Sequence, residues 1–193
     1  MSDLTILGIS GSLRADSHNS ALLRAAAQGA PDGVRVDIYD RLRDIPPYDQ
    51  DLDTAEPPEP VADLRERIFA ADGLLIVTPE YNYGIPGVLK NAIDWASRAP
   101  KWGDPTSLAR KPVAIAGAAP TNFGTVRAQL ALRQVFVWTD SLVVVKPEVI
   151  VFGSHNRFDA AGNLTDETTR GLLTELLGAL RTKIEETAAL VRA

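Results

Sequence analysis

Two stretches of this chain concentrate the residue types that can hold charge or steer a redox reaction. Residues 10–20, Ser10-Gly11-Ser12-Leu13-Arg14-Ala15-Asp16-Ser17-His18-Asn19-Ser20, combine hydroxyls, small residues and one arginine. Placed ahead of a helix, they offer backbone N–H groups, serine hydroxyls and a guanidinium, a donor set suited to an anion. The planar arginine fork matches phosphate geometry. Ser17 or Asn19 would cap a helix in any protein, but capping leaves Ser10, Ser12, Arg14 and Ser20 without a reason. The second stretch, Pro79-Glu80-Tyr81-Asn82-Tyr83-Gly84, brings two phenols, a carboxylate and an amide into one short loop. A plain connection between elements needs none of these.

What the chain lacks narrows the chemistry. Without cysteine there is no thiolate nucleophile, disulfide or thiol redox couple. His18 and His155 stand without further ligands at zinc spacing. The acids Asp49, Asp51, Asp53, Glu56 and Glu59 do not follow EF-hand spacing and read as a solvated loop. The sequence has no G-x-x-x-x-G-K-[ST], which excludes an ATP or GTP P-loop, and no G-x-G-x-x-G, which excludes the dinucleotide fingerprint. Redox chemistry must therefore come from a bound cofactor, and residues 10–20 suit the terminal monophosphate of a mononucleotide.

The elements around these loops follow from hydrophobic pattern. Residues 4–9 and 74–77 are continuous apolar runs, as expected for strands covered on both faces. Residues 34–39 alternate and predict a half-exposed edge strand. Residues 113–120 form a fourth strand ending in the small residues Gly117, Ala118 and Ala119, where a flat ring would have room near the backbone. Residues 142–145 and 149–152 make a fifth strand, interrupted by Lys146-Pro147. Apolar residues at helical spacing follow each strand: Ala21, Leu22, Ala25 and Ala26; Val61, Leu64, Ile68 and Phe69; Val88, Leu89, Ala92, Ile93 and Ala96; residues 122–138; and Leu172, Leu173, Leu176, Leu177, Leu180 and Ile184 after a start at Thr165. Residues 101–111 form a polar excursion containing Trp102.

This β-α alternation predicts one α/β domain over residues 1–193, a flavodoxin-like three-layer sandwich with a five-stranded parallel sheet in the order 2-1-3-4-5. Both loops then lie at carboxyl ends of strands one and three, beside the switch point where such sheets hold FMN. Length, 45% hydrophobic and 23% charged residues fit an ordinary globular domain. A net charge of −5 argues against a nucleic-acid partner. No apolar run approaches a membrane span, and Met1-Ser2-Asp3-Leu4 does not read as a signal peptide, so a cytoplasmic protein is expected.

Gly11-Ser12-Leu13-Arg14 with Ser17 and Asn19, Pro79-Glu80-Tyr81-Asn82, and Pro86-Gly87-Val88-Leu89-Lys90-Asn91-Ala92-Ile93-Asp94 together resemble the NADPH-dependent FMN reductase family, which includes bacterial quinone and chromate reductases and is related to azoreductases. The resemblance covers nearly the whole chain. It implies FMN and NADPH as cofactors and a small-molecule electron acceptor: free flavin, quinone, azo compound or metal oxyanion. It implies that Ser10, Ser12, Arg14, Ser17, His18, Asn19 and Ser20 hold the FMN phosphate. It further implies that Pro79, Glu80, Tyr81, Asn82 and Tyr83 border the isoalloxazine, and that Gly117 and Ala118 flank the ring or ribityl chain. No side chain is expected to act as a catalytic acid, base or nucleophile, and no metal site is expected. A homodimer or homotetramer is implied, with residues 91–95 and 136–138 as candidate interfaces. The rival reading is a flavodoxin-type FMN electron carrier without NAD(P)H activity.

Overall fold

β1 (Leu4–Ser10) lies second in a parallel sheet, between β2 (Val34–Tyr39) at the edge and β3 (Gly73–Val77). β4 (Pro112–Ala118) pairs with β3. The fifth position is shared by β5 (Leu142–Val143) and β6 (Val149–Val151), which both pair with β4 on either side of a cis Lys146–Pro147 bond. The order β2-β1-β3-β4-β5 is the predicted one. The computed structural model describes residues 3–99 and 103–192. Met1 and Ser2, read above as no signal sequence, and Trp102 of the polar excursion lie outside the described residues.

The sheet is covered on both faces because its central strands are apolar on both. Every residue of β3 is buried. Leu75 and Val77 face α1 (His18–Gln28) and α5 (Glu167–Arg192), in a core with Leu22, Leu176 and Leu180. Leu74 and Ile76 face the opposite layer of α2 (Glu59–Ala70), α3 (Gly87–Ala96) and α4 (Val126–Trp138), in a core with Leu64, Trp95 and Phe136. Successive strand residues point to opposite faces, so a continuous apolar run feeds two cores at once.

Several expectations shift in the tertiary structure. Within residues 91–95 and 136–138, Trp95 and Phe136 are fully buried in the chain's own core, while Val137 and Trp138 are 79% and 89% exposed. Trp95 Nε1 donates to the Pro46 carbonyl at 2.8 Å, and Asn91 Nδ2 donates to the same oxygen at 2.8 Å. These two residues pin the segment after β2. Replacing a buried aromatic of this kind by alanine costs about 3–5 kcal/mol. The acidic segment is not wholly solvated: the Asp53 carboxylate is 9% exposed and accepts from Arg65 at 2.8 Å and Arg98 at 3.2 Å. Phe69, expected on the core side of α2, is 66% exposed. The fourth helix begins at Val126 rather than Asn122, because Gly124 turns the chain at φ +58 against Ile150 and Phe152.

Candidate flavin site

The end of β1 is drawn against the end of β3 and against Leu89 of α3. Gly11 N donates to the Val77 carbonyl at 2.8 Å, and a Cβ at Gly11 would lie 2.8 Å from Thr78 Oγ1 and 2.9 Å from Leu89 Cδ2. Only glycine fits that approach. The loop over residues 10–20 then divides its polar groups between structure and surface. Ser17, 4% exposed, is the N-cap of α1: its hydroxyl accepts from Asn19 N at 3.2 Å and Ser20 N at 3.4 Å. Asn19 is equally buried and grips the Ala118 backbone twice, Nδ2 donating to the carbonyl at 2.9 Å and Oδ1 accepting from the N–H at 2.8 Å. The side chains of Ser17 and Asn19 thus fasten α1 to the end of β4.

His18 has a similar duty. Its Nδ1 lies 2.8 Å from Ser154 Oγ, and its ring stacks on Phe158 with centroids 4.9 Å apart and planes 11° from parallel. Burial, then the charges of Arg14 and His155, hold its pKa below the ordinary 6.5, so the neutral imidazole is favoured in the fold. Ser10, Ser12, Ser20 and Arg14 remain, and all four line one cleft of about 300 Å³. Ser10 Oγ and Ser20 Oγ meet at 2.9 Å, while the Arg14 guanidinium folds back onto the Asp16 carbonyl.

The loop after β3 is built differently. Tyr81 and Gly84 exchange backbone hydrogen bonds at 3.1 and 3.0 Å around a two-residue turn. Asn82 and Tyr83 both take left-handed conformations, φ 49 and φ 68. This is the primed-turn geometry that favours Asn-Gly, and a tyrosine in the second position costs about 1–2 kcal/mol. Its ring is held from above: the Arg127 guanidinium lies 3.9 Å from the Tyr83 centroid and 4.7 Å from that of Phe123. Arg127 Nη1 also pairs with Glu80 Oε1 at 2.7 Å.

Glu80 caps α4 from outside. Its Oε2 accepts from Arg127 N at 2.9 Å and Ala128 N at 3.2 Å, where the helix leaves N–H groups without partners. Thr125, the local cap position, makes no such bond, because its buried hydroxyl accepts from Gln129 Nε2 at 3.0 Å. Burial alone would raise the Glu80 carboxyl, but bonds from the Arg127 side chain and from the Ala128 and Arg127 N–H groups carry its pKa below the usual value. Glu80 therefore anchors the loop. Tyr81 and Tyr83, 51% and 74% exposed, and the exposed Asn82 are what the loop presents.

Gly117 and Ala118 are buried at the end of β4. A Cβ at Gly117 would lie 2.2 Å from Thr125 Oγ1 and 2.3 Å from the Thr78 carbonyl oxygen. The small residue is thus required by packing within the chain, whatever else lies over it. The sequence expectation missed Arg127, Phe123 and Ser154, which complete these contacts, because nothing local marks a partner 47 or 136 positions away.

All the pieces sit at the carboxyl edge of one parallel sheet, flanking the switch between β1 and β3. The residues present fit a flavin mononucleotide: a hydroxyl- and arginine-lined cleft for a phosphate, and exposed aromatic and amide groups on the neighbouring loop for a planar head. Fold and site together define a flavodoxin-like flavin-binding oxidoreductase. Comparison with known proteins places it further. The family model of NADPH-dependent FMN reductase matches residues 4–156. An NAD(P)H-dependent FMN reductase of Pseudomonas aeruginosa is 47% identical over 179 residues, covering 93% of this chain and 94% of its own. A quinone reductase of Escherichia coli is 41% identical over 178 residues, 91% and 93% covered. The solved flavoenzyme NAD(P)H:(acceptor) oxidoreductase of Paracoccus denitrificans superposes with a TM-score of 0.84 at 34% identity, over 95% of this chain and 98% of its own. The chain belongs to the NADPH-dependent FMN reductase family.

Proposed function

We propose that this protein is an FMN-dependent NAD(P)H oxidoreductase whose acceptor is a small molecule of the quinone or flavin class. The observation that supports the reading is that the two loops leave the carboxyl ends of the adjacent strands β1 and β3, one carrying hydroxyls and an arginine and the other exposed aromatic and amide groups. Bound FMN supplies the hydride-accepting and electron-donating chemistry. The chain's own residues bind and orient. Ser10, Ser12, Ser20 and Arg14 hold the phosphate end, while Tyr81, Asn82 and Tyr83 border the head and offer O–H and N–H donors to a ring carbonyl. The Glu80–Arg127 pair keeps that border in place. The nearby Glu80 carboxylate is held ionised by its bonds, so no general acid or base is assigned.

Two or four copies are proposed to assemble in the cytoplasm. Among the described residues no helix is long and apolar enough to cross a membrane. The exposed Leu130, Val137 and Trp138 of α4 give a second copy an apolar strip to cover. The test of function is rapid anaerobic mixing of the FMN-loaded protein with NADPH, then with a benzoquinone. Bleaching of the flavin absorbance followed by its return supports the reductase. Persistent yellow colour with either nicotinamide nucleotide overturns it in favour of an electron carrier.

A further inference from the structure

Of the two histidines in the chain, one sits where a positive charge is unwelcome. His18 is the first residue of α1, directly after the Ser17 cap, and the partial positive charge of a helix start disfavours a cation there. Its ring stacks on buried Phe158, and its Nδ1 lies 2.8 Å from the Oγ of fully buried Ser154. Ser154 opens the short turn Ser154–Asn156 after β6. The contact therefore joins two parts of the carboxyl edge that stand 136 positions apart in the chain. The same turn is tied to the end of β4, since Ser154 N donates to the Ala119 carbonyl at 3.1 Å.

The Ser154 hydroxyl makes this contact conditional on the state of the ring. With a neutral imidazole protonated on Nε2, the hydroxyl donates to the Nδ1 lone pair. A second proton on the ring occupies that lone pair and turns Nδ1 into a donor. Among the described residues, His18 is the one partner of the Ser154 hydroxyl. Its buried O–H would then be left without an acceptor, which costs about as much as a lost hydrogen bond. Neighbouring charges add to this. Arg14 from the loop after β1 and His155 from the short turn both oppose a cation on His18, as does burial. Asp16, Arg24 and Asp159 line the cleft beside the ring. Arg24 acts with Arg14, whereas Asp16 and Asp159 act against them. The Asp159 carboxylate is itself engaged, accepting from Ala161 N at 2.9 Å and Asn163 N at 2.8 Å.

We propose that His18 and Ser154 form a proton-sensitive latch between the start of α1 and the turn after β6, closed by the neutral ring and opened when the ring takes a second proton. The latch goes beyond the flavin reading and rests on it only for what it controls: the loops it joins flank the candidate flavin site, so acid loosens the hold on FMN. Its contribution is full above the ordinary histidine value of 6.5 and is lost as pH falls through the lowered value in the fold.

The test follows hydrogen exchange of the full chain at about pH 8 and about pH 5, the limits between which histidine titrates, corrected for the intrinsic pH dependence of exchange. It compares wild type with His18→Gln, Ser154→Ala and His155→Asn. Glutamine keeps an acceptor for the hydroxyl and does not titrate. At the acid limit, residues 152–158 of wild type are expected to exchange about two- to tenfold faster, the size of one lost neutral hydrogen bond. His155→Asn is expected to keep that acceleration, and His18→Gln and Ser154→Ala to lose it. Equal acceleration in wild type, His18→Gln and Ser154→Ala overturns the latch. So does its loss in His155→Asn, which would assign the titration to the exposed neighbour. Nitrogen NMR of the His18 ring reads the tautomer without any substitution: an unprotonated Nδ1 at the alkaline limit supports the latch, and a protonated one overturns it.

The rate at which FMN leaves the loaded protein is measured over the same range. A rise in wild type that His18→Gln does not share assigns flavin release to the latch, and an equal rise in both overturns that control. If the chain binds no FMN, the flavin reading falls, and exchange and NMR still decide the latch.

Discussion

The loops after β1 and β3 leave neighbouring strands of one sheet, yet they treat their charges in opposite ways. After β3, charge is satisfied internally: Glu80 closes the start of α4 and binds Arg127, and Arg127 covers Tyr83 and Phe123. After β1, the buried polar groups are satisfied but the cations are not. Ser17 and Asn19 fasten the loop to α1 and β4, while Arg14 has no carboxylate partner among the described residues and lines a cleft with Ser10, Ser12 and Ser20. The first loop is a shape held by its own ion pair. The second is a frame with spare positive charge, which is what a phosphate requires. A planar head that binds through stacking and hydrogen bonds needs rigidity at its border, whereas a charged tail needs unneutralised donors.

Substitutions can break this contrast. The largest effect is expected from Glu80→Ala, which leaves α4 uncapped and a partly buried Arg127 without its partner. Loss of the cap and of the pair together should lower stability by about 2–4 kcal/mol, below the simple sum because Arg127 retains solvent access. Chemical denaturation measures it, and a loss under about 0.5 kcal/mol would show that Glu80 is not the anchor.

Arg14→Ala comes next and should act on the ligand rather than on the fold. Removing one charged hydrogen bond weakens FMN by about 1.5–3 kcal/mol, roughly ten- to a hundredfold in dissociation constant. Flavin-fluorescence titration reads this, and an unchanged dissociation constant with an unchanged melting curve would take Arg14 out of the phosphate site.

Acid sharpens the comparison. The Glu80 carboxyl has a lowered pKa in the fold, so its contribution is present above the ordinary value of 4.5 and is lost as pH falls through the lowered folded value. The stability difference between wild type and Glu80→Gln should accordingly be full near neutrality and shrink as the pH drops below 4.5. A difference that stays constant down to acid unfolding would mean that the charge of Glu80 does not matter.

The smallest expected change is in Tyr83→Gly. It relieves about 1–2 kcal/mol of left-handed backbone cost and gives up a cation–π contact of about 0.5–1 kcal/mol. Net stability should move by less than about 1.5 kcal/mol in the favourable direction, while FMN affinity falls because the ring no longer borders the site. A variant both less stable and unchanged in flavin affinity would reverse that assignment.

The strand order, the two loops at the switch point and the strand broken at Lys146-Pro147 were legible in the sequence, because each depends on local apolar pattern and on proline and glycine. Individual roles inside the loops were only partly legible. The structure gives the side chains of Ser17, Asn19 and Glu80 partners within the chain: a helix cap, a strand end and a neighbouring helix. Gly117 was read as clearance for a ring, and Thr125 and Thr78 already claim that space. Such contacts join residues far apart in the chain, and no short-range pattern records them.

Composition and periodicity by themselves determined a parallel α/β sheet, a cofactor-dependent chemistry without thiols, and a pair of polar loops at the carboxyl ends of β1 and β3. Only the tertiary structure decided which charges in those loops were neutralised. Ion pairing depends on distances of a few ångströms between residues brought together from separate elements. Arg127 therefore meets Glu80, whereas Arg14 is left without a carboxylate beside the hydroxyls of Ser10, Ser12 and Ser20.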